Sequence, residues 1–135
     1  MSLFQIFQVS GSAVSAQSQR LNVVASNLAN AESVAGPDGQ PYKARQVVFQ
    51  TRMFGNDPAS AGVKVSQVVE DSSAPRRIHD PQNPAADSEG YVTLPNVNPV
   101  EEMVNMISAS RGYQSNVDVM NTAKSLLQKV LQLGA

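Results

Sequence analysis

The chain has 135 residues and a formal net charge of −1, which suits one modest domain and is too little for two independent cores. It contains no Cys, so disulfide frameworks, thiolate zinc sites and cysteine nucleophiles are excluded. The near-neutral charge offers no strong field to recruit nucleic acid. Trp is absent and aromatic residues make up only 5%, so the large anchors of a tight small core are missing. We therefore expect a protein that does not stabilise itself alone.

No secretory leader is predicted. A signal peptide begins with a cationic stretch, whereas the first basic residue here is Arg20. No apolar run approaches the length that crosses a bilayer. We expect a chain that stays in the cytosol or leaves by a route without a cleaved leader.

Residues 3–33 are predicted to form the first helix. Apolar side chains recur there every seven residues, at Phe7, Val14, Leu21 and Leu28, with Val24 in support. This spacing is typical of a helix that presents a narrow stripe to a partner helix. Arg20 is the only charged side chain between residues 3 and 31, although a solvated helix normally carries charge pairs. We therefore expect a helix that is packed on most sides when assembled and poorly formed alone in water.

A polar ridge lies near the end of this helix, formed by Asn22, Ser26, Asn27 and Asn30. Asn30 suits a helix cap, and the other side chains suit hydrogen bonds to a neighbouring subunit. A turn follows at residues 36–39, which read Gly-Pro-Asp-Gly.

The middle of the chain is predicted to form two to three short strands. β-Branched and aromatic residues favour strands over residues 42–50, 62–70 and 91–94. Residues 53–61 read as a loop, and residues 76–81 as another. The prolines at positions 75, 81, 84 and 95 confine any further strand to an edge.

The last helix is the best marked. Asn98 is a natural N-cap, Pro99 stands at the first helical position, and Glu101 is placed to complete a capping box. A stripe with steps of three and four follows, at Met103, Met106, Ser110, Tyr113, Val117, Met120, Ala123, Leu127 and Val130. Gly134 is a stop signal. The helix would be roughly 50 Å long.

The predicted fold is mainly α with a small β insert. The long N- and C-terminal helices would pack as a coiled-coil-like hairpin, with a small β-rich element in the middle. Residues 1–35 and 99–135 would form a discontinuous helical assembly domain, and residues 36–98 an outer β element. Two helices have more apolar perimeter than one mutual seam hides, so we expect association with copies or relatives of the chain.

No catalytic, cofactor-binding or metal-binding residue is predicted. His79, beside Asp80, is the only histidine, so it lacks co-ligands for a metal and reads as a surface imidazole. The acidic loop residues follow no calcium-loop spacing. The methionines at positions 103, 106 and 120 suit either an irregular helix seam or a plastic peptide-binding face.

Two segments resemble a known family. Residues 20–21 and 26–30 read Arg-Leu and Ser-Asn-Leu-Ala-Asn and resemble the N-terminal signature of bacterial flagellar axial proteins. Residues 90–103 and 109–116 are similar to the proximal rod subunits of the flagellar basal body, and the likeness runs along the whole chain. Gly112 departs from the family pattern, where a better helix former is usual.

The resemblance implies a structural subunit of the rod, with no enzymatic activity and no small-molecule substrate. Its terminal helices would pack into a tube that crosses the periplasm and transmits torque, after export by the flagellar type III apparatus. Its partners would be copies of itself, rod proteins of the FlgB, FlgF and FlgG types, and the FliE-type basal-body adaptor.

The expected assembly interface combines both helices. Its residues are Phe7, Val14, Leu21, Val24, Ser26, Asn27, Leu28, Asn30, Met103, Met106, Ser110, Arg111, Tyr113, Asn116, Val117, Met120, Leu127 and Val130. Two other hypotheses remain open from the residues alone. One is a monomeric helical adaptor that binds a partner peptide, and the other is an enzyme acting on the cell wall.

Overall fold

Two long helices stand at the ends of the chain, before and after a small β region. The structure, a computed structural model, describes residues 2–36 and 38–134. Its elements are α1 (Leu3–Ala29), β1 (Arg45–Met53), β2 (Ala61–Glu70), β3 (Arg76–His79), β4 (Tyr91–Leu94) and α2 (Pro99–Leu133), with a short 3₁₀ turn at Pro58–Ser60 before β2. The predicted class, two terminal helices with a small β element between them in the sequence, is confirmed.

Helix α1 begins with a capping box that the sequence analysis did not identify. The Ser2 hydroxyl accepts from the Gln5 N–H at 3.2 Å, and the Gln5 side chain accepts from the Ser2 N–H at 2.9 Å. The helix ends at Ala29, and Asn30 is its C-cap as expected. The predicted end at residue 33 was too late, because the N–H of Ser33 bonds back to the Asn30 carbonyl in a separate turn.

Helix α2 has the predicted bounds. The Asn98 side chain accepts from the N–H groups of Val100 and Glu101, and Pro99 is the first helical residue. In the described part of the chain the Glu101 carboxylate does not accept the reciprocal bond from the Asn98 N–H, so the predicted capping box is incomplete. Gly134 caps the end and donates its N–H to the Val130 carbonyl.

The two helices pack side by side and antiparallel. Asn27, near the end of α1, bonds to Glu102, near the start of α2, whereas Leu3 and Leu126 line one shallow groove at the other end. Midway, a Cβ on Gly112 would lie 3.2 Å from the Gln17 side chain. The unexpected glycine in α2 therefore leaves room for Gln17 between the helices.

The β region consists of two separate antiparallel hairpins. Strand β1 pairs with β2, with a bulge between Val48 and Phe49, and β3 pairs with β4. The prediction for β4 is confirmed, and β1 starts and ends three residues later than expected. Assigning β3 to a loop was wrong. The prolines at positions 75 and 81 lie just outside this strand, so they do not interrupt its pairing. In that pairing Arg76 lies opposite Leu94, and His79 lies opposite Tyr91.

The hairpin of β1 and β2 lies along α1. The Arg45 backbone bonds to Asn27, the Val63 N–H donates to the Ser12 hydroxyl at 3.1 Å, and Gly55 lies next to the Gln5 side chain. Helix α1 thus contacts α2 on one side and this hairpin on another. Its surface needs few charges because much of it does not face water.

The buried side chains are small. Ala16, Val24, Ala109 and Ala123 are buried in the helices, and Ala31, Ala44 and Val97 form a second cluster on which Tyr42 packs. Such side chains let backbones approach closely but bury little area each. Neither α1 nor α2, as described, has an apolar stretch long enough to span a membrane.

Candidate assembly surfaces

The Asn27 side chain joins α1, β1 and α2. It is only 1% exposed. Its Oδ1 accepts from the Tyr42 hydroxyl and from the Arg45 N–H, both at 2.9 Å. Its Nδ2 donates to the Arg45 carbonyl at 2.8 Å and to Glu102 Oε2 at 3.0 Å. The whole hydrogen-bonding capacity of the amide is therefore used inside the chain.

The surroundings of Asn27 carry opposed charges. Burial raises the pKa of the Tyr42 hydroxyl, although the nearby Arg45 guanidinium acts in the opposite direction. Arg20, Arg45 and Glu102 line a polar groove of about 310 Å³ beside this amide. Arg20 also lies 3.5 Å from Asn105 Oδ1, so the one charge of α1 faces the junction of the helices and β1.

Two further side chains, those of Asn96 and Arg76, connect the segments near the carboxyl end of α1. Asn96 Oδ1 accepts from the Ala44 N–H at 2.8 Å, while its Nδ2 donates to the carbonyls of Asp71 and Ser73. Arg76 donates to the carbonyls of Ala31 and Pro95. These bonds attach both hairpins to the end of α1 and to the segment before α2.

An apolar stripe stands exposed on the first turns of α2. It consists of Val100, Met103, Val104 and Ile107, which are 68%, 55%, 61% and 56% exposed; we call it the α2 stripe. Their spacing places them on one side of the helix, turned away from α1. Beyond Ile107 the same side becomes polar, with Arg111, Gln114 and Asp118.

A second apolar patch lies at the other end of α2. Leu126, Val130, Leu131 and Leu133 are all at least half exposed; we call them the overhang patch. Leu3, the first residue of α1, lies at the level of Leu126. The last turns of α2 therefore extend past the first turn of α1.

The outward side of α1 carries no charge. Its exposed residues include Phe4, Gln8, Asn22, Ser26 and Ala29, and Phe4 is 71% exposed. When another chain covers it, an uncharged helix surface loses less hydration free energy than a charged one would.

The predicted interface residues divide by burial. Val24 and Asn27 are buried within the chain. Those that are half-buried, mostly along the paired helices, are Phe7, Val14, Leu21, Leu28, Asn30, Met106, Asn116, Val117, Met120 and Leu127. Those that stay exposed are Ser26, Met103, Ser110, Arg111, Tyr113 and Val130.

Sequence reasoning missed the exposed members of the α2 stripe other than Met103. Val100, Val104 and Ile107 follow their own steps of four and three, but the stripe beginning at Met103 was read as the only one. It also missed Asn96 and Arg76, whose long-range backbone contacts leave no local pattern in a sequence.

His79 and Asp87, which were weighed for chemistry, both lie in the β3–β4 hairpin, around Tyr91. His79 is exposed on β3, with its ring 5.0 Å from that of Tyr91 in an edge-on contact. Asp87 accepts from the N–H groups of Glu89 and Tyr91 and from Arg77; these bonds, that of Tyr91 first, lower its pKa. Within residues 2–36 and 38–134, no three His or acidic side chains group as metal ligands would.

Two family models match the chain. The model described as "Flagella basal body rod protein" matches residues 7–37, and the model described as "Flagellar basal body rod FlgEFG protein C-terminal" matches residues 88–133. The matched ranges contain most of α1 and all of α2.

Full-length relatives are also similar. The chain is 58% identical over 134 residues to the flagellar basal-body rod protein FlgC of Escherichia coli, and 56% identical over 134 residues to that of Salmonella typhimurium, with 99% of each chain covered. It is 40% identical over 149 residues to the FlgC protein of Bacillus subtilis, again with 99% of each chain covered.

Proposed function

The chain belongs to the FlgC family of flagellar basal-body rod proteins, and from that premise we propose that it is a proximal rod subunit. Its family is structural, so the chain is a component of the basal body and not an enzyme. In our proposal, copies assemble helically through the terminal helices and form part of the shaft that transmits torque across the periplasm.

The exposed apolar surface of α2 is the observation that carries the proposal. The α2 stripe and the overhang patch leave eight large apolar side chains, Met103 among them, between 50% and 87% exposed. Contiguous apolar surface of this kind marks an interaction site on a soluble protein. The uncharged outward side of α1 is a second surface suited to burial between subunits.

We propose that the interface residues have two roles. The exposed ones, among them Met103, Tyr113 and Val130, would contact neighbouring subunits. The buried and half-buried ones, among them Val24 and Leu21, would keep the helices paired so that the contact surfaces hold their shape. In the assembled shaft the helices would pack in a coiled-coil-like manner.

We propose different roles for the helices and for the β region. Residues 1–35 and 99–135 would form the assembly domain, while residues 36–98 would remain on the outside of the tube. A shaft needs stiffness, and closely packed interiors have low compressibility. The hairpin along α1 supports this role because it adds hydrogen bonds and contacts along the length of the helix.

The partners we propose are rod and basal-body components. They are copies of this chain, rod proteins of the FlgB, FlgF and FlgG types, and the FliE-type adaptor. Export would proceed through the flagellar type III apparatus, with the chain unfolded. A terminus that completes its packing only on docking would delay polymerisation until the subunit reaches the rod.

The test uses substitutions that spare the chain's own core. Phe4→Asp and Ile107→Asp replace exposed side chains on α1 and α2. Each should leave the unfolding transition of the isolated chain unchanged within about 0.5 kcal/mol. In a strain lacking its own copy of the gene, each should reduce swimming and the amount of chain in purified basal bodies at least tenfold.

Ser125→Asp is the matched control, because Ser125 is exposed on the polar side of α2. It should support normal swimming. If both apolar substitutions also support normal swimming, or if the unaltered chain is absent from purified basal bodies, the proposed function is wrong.

A further inference from the structure

The polar groove beside Asn27 contains two guanidinium groups and one carboxylate. Arg20 of α1, Arg45 of β1 and Glu102 of α2 line it; we call it the arginine groove. Arg20 is half-buried and Arg45 is exposed. In the described part of the chain, neither arginine forms an ion pair. The groove therefore carries one more positive charge than negative charge.

Glu102 is bonded to amides and not to the arginines. Its Oε2 accepts from Asn27 Nδ2 at 3.0 Å, and its Oε1 accepts from Asn105 Nδ2 at 3.4 Å. Arg20 reaches Asn105 Oδ1 at 3.5 Å, whereas a charge-assisted hydrogen bond is typically about 2.7–2.9 Å long. This half-buried guanidinium has therefore lost part of its hydration without gaining a strong partner.

The size and lining of the arginine groove suit an acidic side chain. The groove measures about 310 Å³, whereas a single water needs only about 10–15 Å³. Val23, Val24 and Val47 also line it, so the carbon atoms of an incoming side chain would meet apolar surface. Guanidinium groups bind planar carboxylates through paired N–H donors. A carboxylate with a short carbon stem therefore matches both parts of the lining.

We propose that the arginine groove binds an aspartate or glutamate side chain of a neighbouring copy of this chain. This proposal rests on the proposed function and specifies one contact between its subunits. A second copy has acids to offer, because several exposed carboxylates form no ion pair in the described part of the chain: Glu70, Asp80, Glu89, Glu101 and Asp118. The contact would neutralise an unpaired charge on each copy.

Arg20→Gln tests the site by comparing the isolated chain with the assembled one. In the isolated chain the arginine has no acid to lose, so the urea midpoint should shift no more than that of Arg52→Gln. In purified basal bodies the amount of the Arg20→Gln chain should fall about fivefold or more. Arg52→Gln is the matched control, because Arg52 is exposed on β1 and stacks on Phe54. It should be incorporated normally.

Normal incorporation of Arg20→Gln would overturn the inference. A clear fall of its urea midpoint would also overturn it, by showing that the arginine acts within its own chain. In both cases the unaltered chain is still found in basal bodies, so the proposed function stands. That function fails only if the unaltered chain is absent from them.

Carbodiimide crosslinking identifies the acid. The reagent joins an amine to a carboxylate in contact with it, and it does not couple guanidinium groups. Arg20→Lys keeps the positive charge, so this variant should still enter basal bodies. After treatment, a dimer should contain the peptide with the new amine joined to an acidic side chain of a second copy, a link that the treated unaltered chain lacks. Mass spectrometry of the dimer then names the acid.

Three results of the crosslinking would each overturn the inference. They are no new link, a link only to Glu102 of the same chain, and a link only to a different rod protein. The identified acid also permits an exchange of charges. Arg20→Glu should lower incorporation, and replacing that acid by Lys in the same chain should restore it; a double variant no better than Arg20→Glu alone would contradict the contact.

Discussion

Replacing Asn27 tests whether its amide holds the helices and β1 together. Asn27→Ala removes all four hydrogen bonds of a side chain that is 1% exposed. The Arg45 N–H and carbonyl are fixed by β1, and each unsatisfied backbone group costs about 1–3 kcal/mol. Tyr42 and Glu102 are half-buried and can turn towards water, so we add little for them. The two Arg45 groups together give an expected loss of about 2–6 kcal/mol, out of a total near 5–15 kcal/mol.

The assay is urea unfolding of the isolated chain, followed by circular dichroism. Asn22→Ala is the matched control, because Asn22 is exposed on the same helix and should change the free energy of unfolding by less than about 0.5 kcal/mol. A loss below 1 kcal/mol for Asn27→Ala would refute the reasoning.

Asn27→Asp separates the donors from the acceptors of this amide. The new carboxyl group keeps the shape but directs an oxygen at the Arg45 carbonyl and at Glu102 Oε2, which lies 3.0 Å from the present Nδ2. The neighbouring carboxylate raises the pKa of the new group in the folded state. Protonation then restores a donor, so the defect should be large at pH 7 and should shrink as the pH falls towards 5. A defect that does not depend on pH would contradict this account.

Three further changes test other parts of the structure. Gly62→Ala should lower the free energy of unfolding by about 1–3 kcal/mol, because its Cβ would lie 2.5 Å from Phe54 and 2.6 Å from the Ser12 hydroxyl. Gly11→Ala should raise the free energy of unfolding by about 0.4–1 kcal/mol, since the new Cβ would have only the end of Met120 nearby, at 3.9 Å. The urea midpoints of the two glycine variants test this pair of predictions, and shifts in the same direction would contradict it. Asp87, whose pKa is lowered chiefly by the Tyr91 N–H, should stabilise the β3–β4 hairpin above its ordinary pKa of 3.8 and lose that effect as the pH falls through the lower folded-state value. The protection factor of the Tyr91 amide, which is the ratio of its intrinsic to its observed hydrogen-exchange rate, should therefore fall as the pH drops below 3.8 in the unaltered chain. An unchanged protection factor would refute this origin of the shift.

The helices could be predicted because their signals are local. Asn98, Pro99 and Gly134 mark the bounds of α2 within a few residues of each end, and the seven-residue spacing of Phe7 and Leu28 marks α1. The end of α1 was misplaced because a hydrogen-bonded turn at residues 30–33 continues a helical composition without helical geometry. A sequence therefore marks a helix end more clearly where a capping residue ends the helix than where the helix passes into a turn.

The β region was less predictable because its contacts join distant residues. Nothing beside Arg76 in the sequence indicates that it reaches the carbonyls of Ala31 and Pro95. The position of the β1–β2 hairpin along α1 depends on Gly62, whose missing side chain admits Phe54 and Ser12. The lack of charge on α1 did indicate close packing, but it did not identify the sheet as one of the neighbours.

The candidate surfaces were partly predictable. The apolar spacing identified Val130 and Met103, both exposed, together with Val24, which is buried. Periodicity reports which residues share a side of a helix, but it does not say whether that side meets the same chain or another. Where a helix carries two apolar sides, as α2 does, only the packing of the folded chain distinguishes them.

The antiparallel pairing of α1 with α2 has a consequence for when the chain can fold. The partners Asn27 and Glu102 are far apart in the sequence, so their contact closes a long loop and forms slowly compared with local contacts. Because the amino end is synthesised first, the side of α1 that packs on α2 has no partner until the carboxyl end has been made. The two helices can therefore pair only after the final third of the chain has been made.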